Sequence, residues 1–469
     1  MKCIRMIWQL ALVFALAGTA TAQTHTSSIT ARLQKLMKDP LLRHSEVGIT
    51  VYDLTDMKTL FAYQDKTNFR PASIEKIITS VSALDRLGTK YHFCTELYYT
   101  GTIVNGILHG DLYVKGVFDP EFNDQDMHTL VEAVQDAGII GIDGKVLGDV
   151  SMKDSVYYGE GWSWDDAQHS FQPCLSPLMF NRGYVTVIAT PGARGDKARV
   201  TVTPHSSYYT VDNQALTRVP RAGTLRIDRN WMGLSNTIRV RGNVMRTTLK
   251  RIPLFDSGSF FITTFADRLH QAGISTGVCG MGVTPKAVVR LGGVARPIRE
   301  VLARAMKRSD NLSAEALFYT LARQESPNEP ATSADGAKAV SSMIEELGYK
   351  SGQYRIADGS GLSVYDYVSP DLLLGFLIHA YRNEEIWDTF YDSFPIAGVD
   401  GTLRRRMKNT SAYNNVRGKT GTLTGVSSLA GYAQSADGHM LAFVIINQNV
   451  LRGYQAHVFQ DKFCAALCD

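Results

Sequence analysis

Between Ile77 and Leu87 the apolar residues Ile77, Ile78, Val81, Leu84 and Leu87 recur at helical spacing, with Gly88 as a C-terminal stop. That pattern predicts a largely buried helix. Upstream the period is two: Val47-Gly48-Ile49-Thr50-Val51-Tyr52 and Thr59-Leu60-Phe61-Ala62-Tyr63 flank a turn near Asp56 and read as a hairpin. From about 91 to 286 the chain breaks into short β-rich runs separated by Gly, Asn and Asp turns, among them 97–103, 107–114, 184–189, 198–203 and 237–240. One helix, roughly 126–137, interrupts them. Beyond Pro297 the helical period returns in Ile298, Val301, Leu302, Ala305 and Met306, and again over 314–323. The last third goes back to sheet. A short strand over 416–420 precedes a hairpin, 428–434 with 440–447, that turns at Ser435-Ala436-Asp437-Gly438, and a terminal helix covers about 455–466.

Strands and helices from both ends of the chain predict an α+β fold, with one antiparallel sheet and its helices assembled from residues 23–88 and 287–469. The β-rich module between them, 89–286, is too long for a connecting loop and has room for one or two small subdomains. No internal repeat is visible. A chain of 469 residues is long enough for two or three domains, and its 44% hydrophobic and 20% charged content is that of a globular protein. The net charge of +4 is too balanced to argue for nucleic acid or a polybasic membrane contact.

The first residues read differently. Lys2 and Arg5 precede an apolar run over 6–17 and then Ala20-Thr21-Ala22, the layout of a signal peptide cleaved after Ala22, so the mature protein is expected to be exported. No later stretch approaches the length of a membrane span. Cys94, Cys174, Cys279, Cys464 and Cys468 follow the leader, an odd number, and Cys464 and Cys468 share a helical turn whose spacing suits a disulfide poorly. No disulfide framework is expected. No histidine stands at ligand spacing to these cysteines or to another histidine, so no metal site is expected either.

Chemistry enters where the first helix begins. Ser73-Ile74-Glu75-Lys76 puts a hydroxyl and an amine one turn apart on one face. A lysine there meets the positive end of the helix dipole, and burial also lowers its pKa. Both effects favour a neutral amine beside a hydroxyl, the requirement for an activated serine nucleophile. The same residues would equally serve as a capping serine and a solvent-directed lysine, so the choice rests on what lies downstream. Lys419-Thr420-Gly421 is the one K-T-G, though an exposed edge strand can carry it. Ser309-Asp310-Asn311 falls in a short break between two amphipathic helices, where polar side chains can converge on a cleft or simply cap the next helix. A second Ser-x-Asn, Ser326-Pro327-Asn328, lies in a polar loop. Asp358-Gly359-Ser360-Gly361 is a tight turn without the spacing of a nucleophile elbow. Ser-x-x-Lys, Ser-x-Asn and Lys-Thr-Gly in this order are the motif set of serine β-lactamases and penicillin-binding proteins.

The chain resembles the penicillin-binding protein 4 type of D-alanyl-D-alanine carboxypeptidase and endopeptidase, the class C low-molecular-mass penicillin-binding proteins. The likeness is carried by 70–78, 307–311, 357–363, 395–403 and 418–426, and in the insert by Ile142-Asp143-Gly144 and 161–166, and so spans nearly the whole mature chain. Two positions depart from that family: Val364-Tyr365-Asp366 stands where Arg-x-Asn is usual, and Gly418 where alanine commonly precedes the lysine.

The resemblance implies a serine β-lactamase-like transpeptidase fold carrying a large β-rich insertion, and a periplasmic enzyme without cofactor or metal. Its substrates would be peptidoglycan stem peptides, with β-lactams as covalent inhibitors. Ser73 would form the acyl-enzyme and Lys76 would be its base. Ser309 and Lys419 would pass a proton to the leaving amine, and Asn311 would hold the substrate amide. Thr420, Gly421 and Thr422 would line the site of the terminal carboxylate. The N–H groups of Ser73 and Thr422 would form the oxyanion hole. Asp149 matches a family aspartate near the cleft and would pair with the free ammonium of a diamino acid; its other reading is a strand-end aspartate holding local N–H groups. A serine β-lactamase with the same motifs is a rival, against which the large insert argues. A β-lactam-binding sensor that acylates and stops is another, and such sensors are normally tethered to a membrane segment.

Overall fold

The computed structural model describes residues 29–469, and the expected leader lies outside them. Strands β1 (Glu46–Asp53) and β2 (Lys58–Tyr63) make the N-terminal hairpin. Its turn is set by Asp53, whose Oδ1 accepts the N–H groups of Thr55 at 2.9 Å and Asp56 at 3.0 Å. From the other end of the chain come β3 (Arg417–Leu423), β4 (Val426–Gln434) and β5 (Met440–Gln448). The five form one sheet in the order β2-β1-β5-β4-β3, antiparallel throughout, with β1 and β5 joining the two chain ends. The β4–β5 hairpin turns at Gly438, whose φ of +87° suits a residue without Cβ.

Helices cover both faces. One core packs α1 (Glu75–Leu87), α2 (Ile298–Lys307), α3 (Asn311–Glu325), α4 (Ser333–Glu346), α5 (Pro370–Arg382) and α6 (Glu384–Asp392) against Ala442, Val444 and Ile446 of β5. Leu441, Phe443 and Ile445 of the same strand go to the opposite face, closed by α7 (Gly453–Cys468). Burial on both faces explains why β4 and β5 read as nearly continuous apolar runs. In α1 the predicted period holds: Ile77, Ile78, Val81 and Leu84 are buried, and Gly88 at φ +78° ends the helix.

The chain leaves this unit along the strand His92–Tyr99 and returns along Val289–Pro297, and the two pair antiparallel with His92 opposite Pro297. The neck of the insert is therefore a ladder, not a pair of loose linkers. Val289–Pro297 follows residue 286, where the β-rich pattern ends in the sequence; Gly292-Gly293 and a register shift between Arg290 and Gly292 hide it. These strands join Leu112–Lys115, Val146–Asp149 and Cys279–Met281 in a five-stranded sheet. A second group built on Tyr184–Thr190, Arg199–Thr203, Thr237–Arg241 and Thr248–Pro253 shares the same apolar core. The expected helix occupies Asp124–Asp136. Another, Ser257–Gln271, escaped the pattern because Phe260-Phe261-Ile262-Thr263-Thr264-Phe265 has the aromatic and β-branched content of a strand. Cys94, Cys174, Cys279, Cys464 and Cys468 are all free thiols. Among the described residues no helix is long and apolar enough to cross a membrane.

Candidate active site

Ser73 stands in a short 3-10 turn, Ala72–Ile74, that leads into α1. The turn is held under strain: Ala72 adopts φ +51°, a left-handed conformation costly for a residue with a Cβ. Two glycines allow the close packing that holds it. A Cβ on Gly361 would lie 2.0 Å from the Ala72 carbonyl oxygen, and one on Gly421 would lie 2.9 Å from the Ser73 nitrogen. Ser428 Oγ of β4 donates to the Pro71 carbonyl at 2.6 Å. Edge strand β3 and the Asp358–Gly361 turn thus clamp the serine from two sides.

Lys76 is fully buried, and its Nζ lies 2.9 Å from Ser73 Oγ, 2.8 Å from Asn311 Oδ1 and 2.6 Å from the Ser360 carbonyl. Asn311 is oriented by its other end, Nδ2 donating to the Phe171 carbonyl at 2.9 Å, so its oxygen is the atom facing the lysine. Two of the three neighbours of Nζ are therefore pure acceptors. A neutral amine has two N–H groups for them and a lone pair left for the Ser73 hydroxyl proton. Burial pushes the Lys76 pKa down to about 8, against the pull of the carboxyls at Asp358, Asp310, Glu315 and Glu75.

On the far side of the cleft Lys419 Nζ contacts Ser309 Oγ at 2.7 Å and the Thr420 carbonyl at 2.6 Å. Burial, and then the charge Lys76 carries whenever it is protonated, hold Lys419 well below the usual lysine range. Ser309 carries a φ of +55° and sits in the break between α2 and α3. Asp310 caps α3, accepting the Ser313 N–H at 2.9 Å, so this segment both caps a helix and presents Ser309 and Asn311. Along β3 Gly421 is buried, Thr420 half-buried and Thr422 exposed, with Thr420 Oγ1 donating to Thr402 Oγ1 at 2.9 Å. The contacts of Lys76 and Lys419, with the close approach of Gly421 to Ser73, thus bring Ser73, Lys76, Ser309, Asn311, Lys419 and Gly421 together, and Thr420 and Thr422 flank Gly421 on β3.

Asp149 makes none of these contacts. It is buried in the insert, where Oδ1 accepts the Ser151 N–H at 2.9 Å and Oδ2 the Thr284 N–H at 2.8 Å. Burial raises its pKa, but the bonds to Ser151 and Thr284 outweigh that and keep it a carboxylate. Of the two readings of this residue, the geometry matches the strand-end aspartate.

Beneath Lys76 lies a group of four buried carboxyls that the motifs do not announce: Glu75, Glu315, Asp358 and Asp366. Asp358 takes most of the donors, the N–H groups of Ser360, Gly361 and Ser363 at 3.0, 2.6 and 2.8 Å and Trp162 Nε1 at 2.7 Å. Burial, and next the charge of Asp358, push the pKa of Glu315 up to about 8 and those of Glu75 and Asp366 well above the carboxylate range. Asp358 thus holds the turn whose Ser360 carbonyl faces Lys76, and burial favours the neutral form of Glu75, Glu315 and Asp366.

The insert reaches the site at three points: Trp162 on Asp358, the Phe171 carbonyl on Asn311, and Arg182, which forms an ion pair with Asp310 and another with Glu121 at 2.6 Å. Burial pushes the Asp310 carboxyl up, but Arg182 and the Ser313 N–H outweigh it and hold it below the usual range. Trp162 lies in a stretch that carries the family likeness, whereas no local pattern marks Arg182, over 100 residues from Asp310.

Residues 29–464 match the model of the D-Ala-D-Ala carboxypeptidase 3 (S13) family. The D-alanyl-D-alanine carboxypeptidase of Actinomadura sp. strain R39 is 30% identical, over 93% of this chain and 84% of that protein. The D-alanyl-D-alanine carboxypeptidase DacB of Haemophilus influenzae is 28% identical, over 89% of this chain and 88% of that one. The crystal structure of penicillin binding protein 4 from Haemophilus influenzae superimposes with a TM-score of 0.78 at 26% identity, covering 93% of this chain and 97% of that one.

Proposed function

The chain belongs to the D-Ala-D-Ala carboxypeptidase 3 (S13) family, and from that premise we propose that it hydrolyses the D-alanyl-D-alanine bond of peptidoglycan stem peptides through an acyl-enzyme on Ser73. In this reading β-lactams acylate the same serine. Lys76, as a neutral amine, takes the Ser73 proton while Oγ attacks the carbonyl of the penultimate D-alanine. The N–H groups of Ser73 and Thr422 receive the developing oxyanion, in reach of one another because Gly421 lets β3 close on the serine turn. The C–N bond breaks, and the leaving amine takes a proton delivered through Ser309 and Lys419. Asn311 steadies the substrate amide. Thr420 and Thr422, with Lys419 and the flat backbone at Gly421, hold the terminal carboxylate. The proton given to the leaving amine is the one Lys76 took from Ser73; Lys76, neutral again, then takes a proton from the water that attacks the ester and passes it to Ser73 Oγ as the ester breaks. An exported, periplasmic location fits this substrate.

The observation that carries the reading is the neighbourhood of Lys76 Nζ, where two pure acceptors and the Ser73 hydroxyl, at 2.9 Å, surround the amine, so that its neutral form keeps the lone pair for the hydroxyl proton. Incubation with purified muropeptides, followed by mass spectrometry, should show loss of one alanine. Ser73→Ala should abolish both this loss and covalent labelling by a fluorescent penicillin. Labelling of Ser73→Ala at the wild-type level would place the nucleophile elsewhere.

A further inference from the structure

The net charge of +4 averages over an uneven distribution. Residues 191–253, in the second strand group of the insert, contain twelve Lys and Arg against three Asp, so the rest of the chain is net acidic. Part of this charge is engaged within the fold: Arg229 is buried, Arg239 lies 3.4 Å from Asp228, and Arg241 lies 3.4 Å from Asp212. Much of the remainder gathers at one end. Three loops meet there, 191–198, 214–225 and 242–248. Backbone bonds tie them together, from the Gly195 N–H to the Thr217 carbonyl at 2.9 Å, the Arg218 N–H to the Val244 carbonyl at 3.3 Å, and the Asn243 N–H to the Gly223 carbonyl at 2.9 Å. They carry Arg194, Lys197, Arg218, Arg221 and Arg246, all exposed and none paired with an acidic group among the described residues. Asp196 is the one carboxylate on the same loops.

Stability does not account for this arrangement. Like charges crowded on three tied loops repel one another. Nearby, Arg226 and Arg241, both exposed, stand directly opposite each other on antiparallel strands, a pairing that costs stability. Apolar groups are set among the cations. Met245 is 60% exposed, and a groove of about 480 Å³ has Pro220, Leu225, Met245 and Arg246 in its lining. A polyanion in water answers the charge but leaves Met245 without a partner. A bilayer containing anionic phospholipids answers both, with headgroups for the guanidinium groups and an apolar layer beneath them. The hydrogen bonds of these loops stay within the insert, so contact here leaves the catalytic cleft undisturbed.

We propose that this end of the insert docks the enzyme on an anionic phospholipid surface. No helix among the described residues is long and apolar enough to cross a membrane, and five exposed cations with one methionine give a peripheral, reversible, salt-sensitive contact. The proposal is independent of the chemistry at Ser73.

The test is sedimentation of the mature protein with vesicles of phosphatidylcholine alone and of phosphatidylcholine mixed with phosphatidylglycerol, at low ionic strength. Wild type should bind the mixed vesicles about tenfold or more tightly than the neutral ones, and added salt should release it. R218Q/R221Q removes two cations, each contributing about fivefold near an anionic surface, and should weaken binding about ten- to thirtyfold. R404Q/R405Q removes the same charge from exposed arginines of the catalytic unit and should weaken it less than about threefold. M245S keeps every cation and should still weaken binding about threefold, because it removes an apolar side chain from the bilayer. Thermal unfolding and benzylpenicillin acylation of R218Q/R221Q and M245S should match wild type. Equal weakening by the two arginine pairs would reduce the effect to net charge and overturn the proposal. An unchanged M245S would make the partner a polyanion in water and overturn the assignment to a bilayer. So would a wild type that ignores both kinds of vesicle, including one that sediments with isolated cell walls instead.

Discussion

The unit built from the two chain ends and the module inserted between them bury charge in different ways. Around the cleft, Lys76, Lys419, Glu75, Glu315, Asp358 and Asp366 are all nearly inaccessible, both oxygens of Glu75 lack a hydrogen-bond partner, and Ala72 and Ser309 are held in left-handed backbone. In the insert the buried charges are tied down by backbone or by an opposite charge. Asp149 holds two N–H groups, Lys153 lies 2.6 Å from Asp154, and Arg229 Nε donates to the Pro253 carbonyl at 2.5 Å. Strain and unsatisfied polar groups cost stability and persist where function requires them. In this molecule the unpartnered buried carboxyl oxygens of Glu75, Glu315 and Asp366 gather beneath Lys76, and the insert acts on that centre from outside, through Trp162, Phe171 and Arg182.

The largest effect that would sharpen this contrast is at Lys76. Lys76→Ala should slow acylation by benzylpenicillin about 10²–10⁴-fold, the usual contribution of a general base. The pH profile of the wild type gives a second check. Burial lowers the Lys76 pKa from its ordinary value to about 8, so the active neutral amine is the minor form below that pH and the major form above it. The acylation rate should rise about tenfold per pH unit below this pKa and level off above it. A profile flat across that range would mean that the amine is not the base, or is neutral throughout.

Arg182 tests whether the insert truly positions the cleft. Its side chain is 11% exposed and that of Asp310 is 21%, so removing the cation strands a carboxylate that is largely buried. Arg182→Met should destabilise the protein by about 2–3 kcal/mol, the low side of what breaking a buried pair costs. It should also slow acylation about tenfold or more, because Asp310 sets the start of α3 between Ser309 and Asn311. Thermal unfolding and stopped-flow acylation read the two effects separately. A stability loss with acylation unchanged would reduce Arg182 to an ordinary structural ion pair and break the contrast.

The smallest effect on catalysis belongs to Asp149. Asp149→Asn weakens one of two charge-assisted bonds to backbone N–H groups and should cost about 1–2 kcal/mol of stability. Turnover of diaminopimelate-containing muropeptides and acylation by benzylpenicillin should both stay within about twofold of wild type. A selective loss on the muropeptide would bring this residue back to the substrate.

Elements that are local in cause could be read from the residues alone. The apolar period of α1, the N-terminal hairpin and the Ser435–Gly438 turn depend on residues within a few positions of one another, and each appears in the structure close to where the pattern puts it. The motif residues were legible for the same reason, since Ser73 with Lys76, Ser309 with Asn311, and Lys419 with Thr420 are short-range pairs. Tertiary structure decided which of them meet, and what surrounds them. The partners of Lys76 lie 235 and 284 residues away. Glu75 looks like any polar residue in a first helical turn until α3 and the Asp358 turn close over it and deny it water. Asp149 matches a site residue by sequence, yet the Thr284 N–H, 135 positions on, claims its second oxygen. Burial and partnership are properties of neighbours in space, and a polar side chain acquires its pKa and its role only when distant segments remove it from solvent.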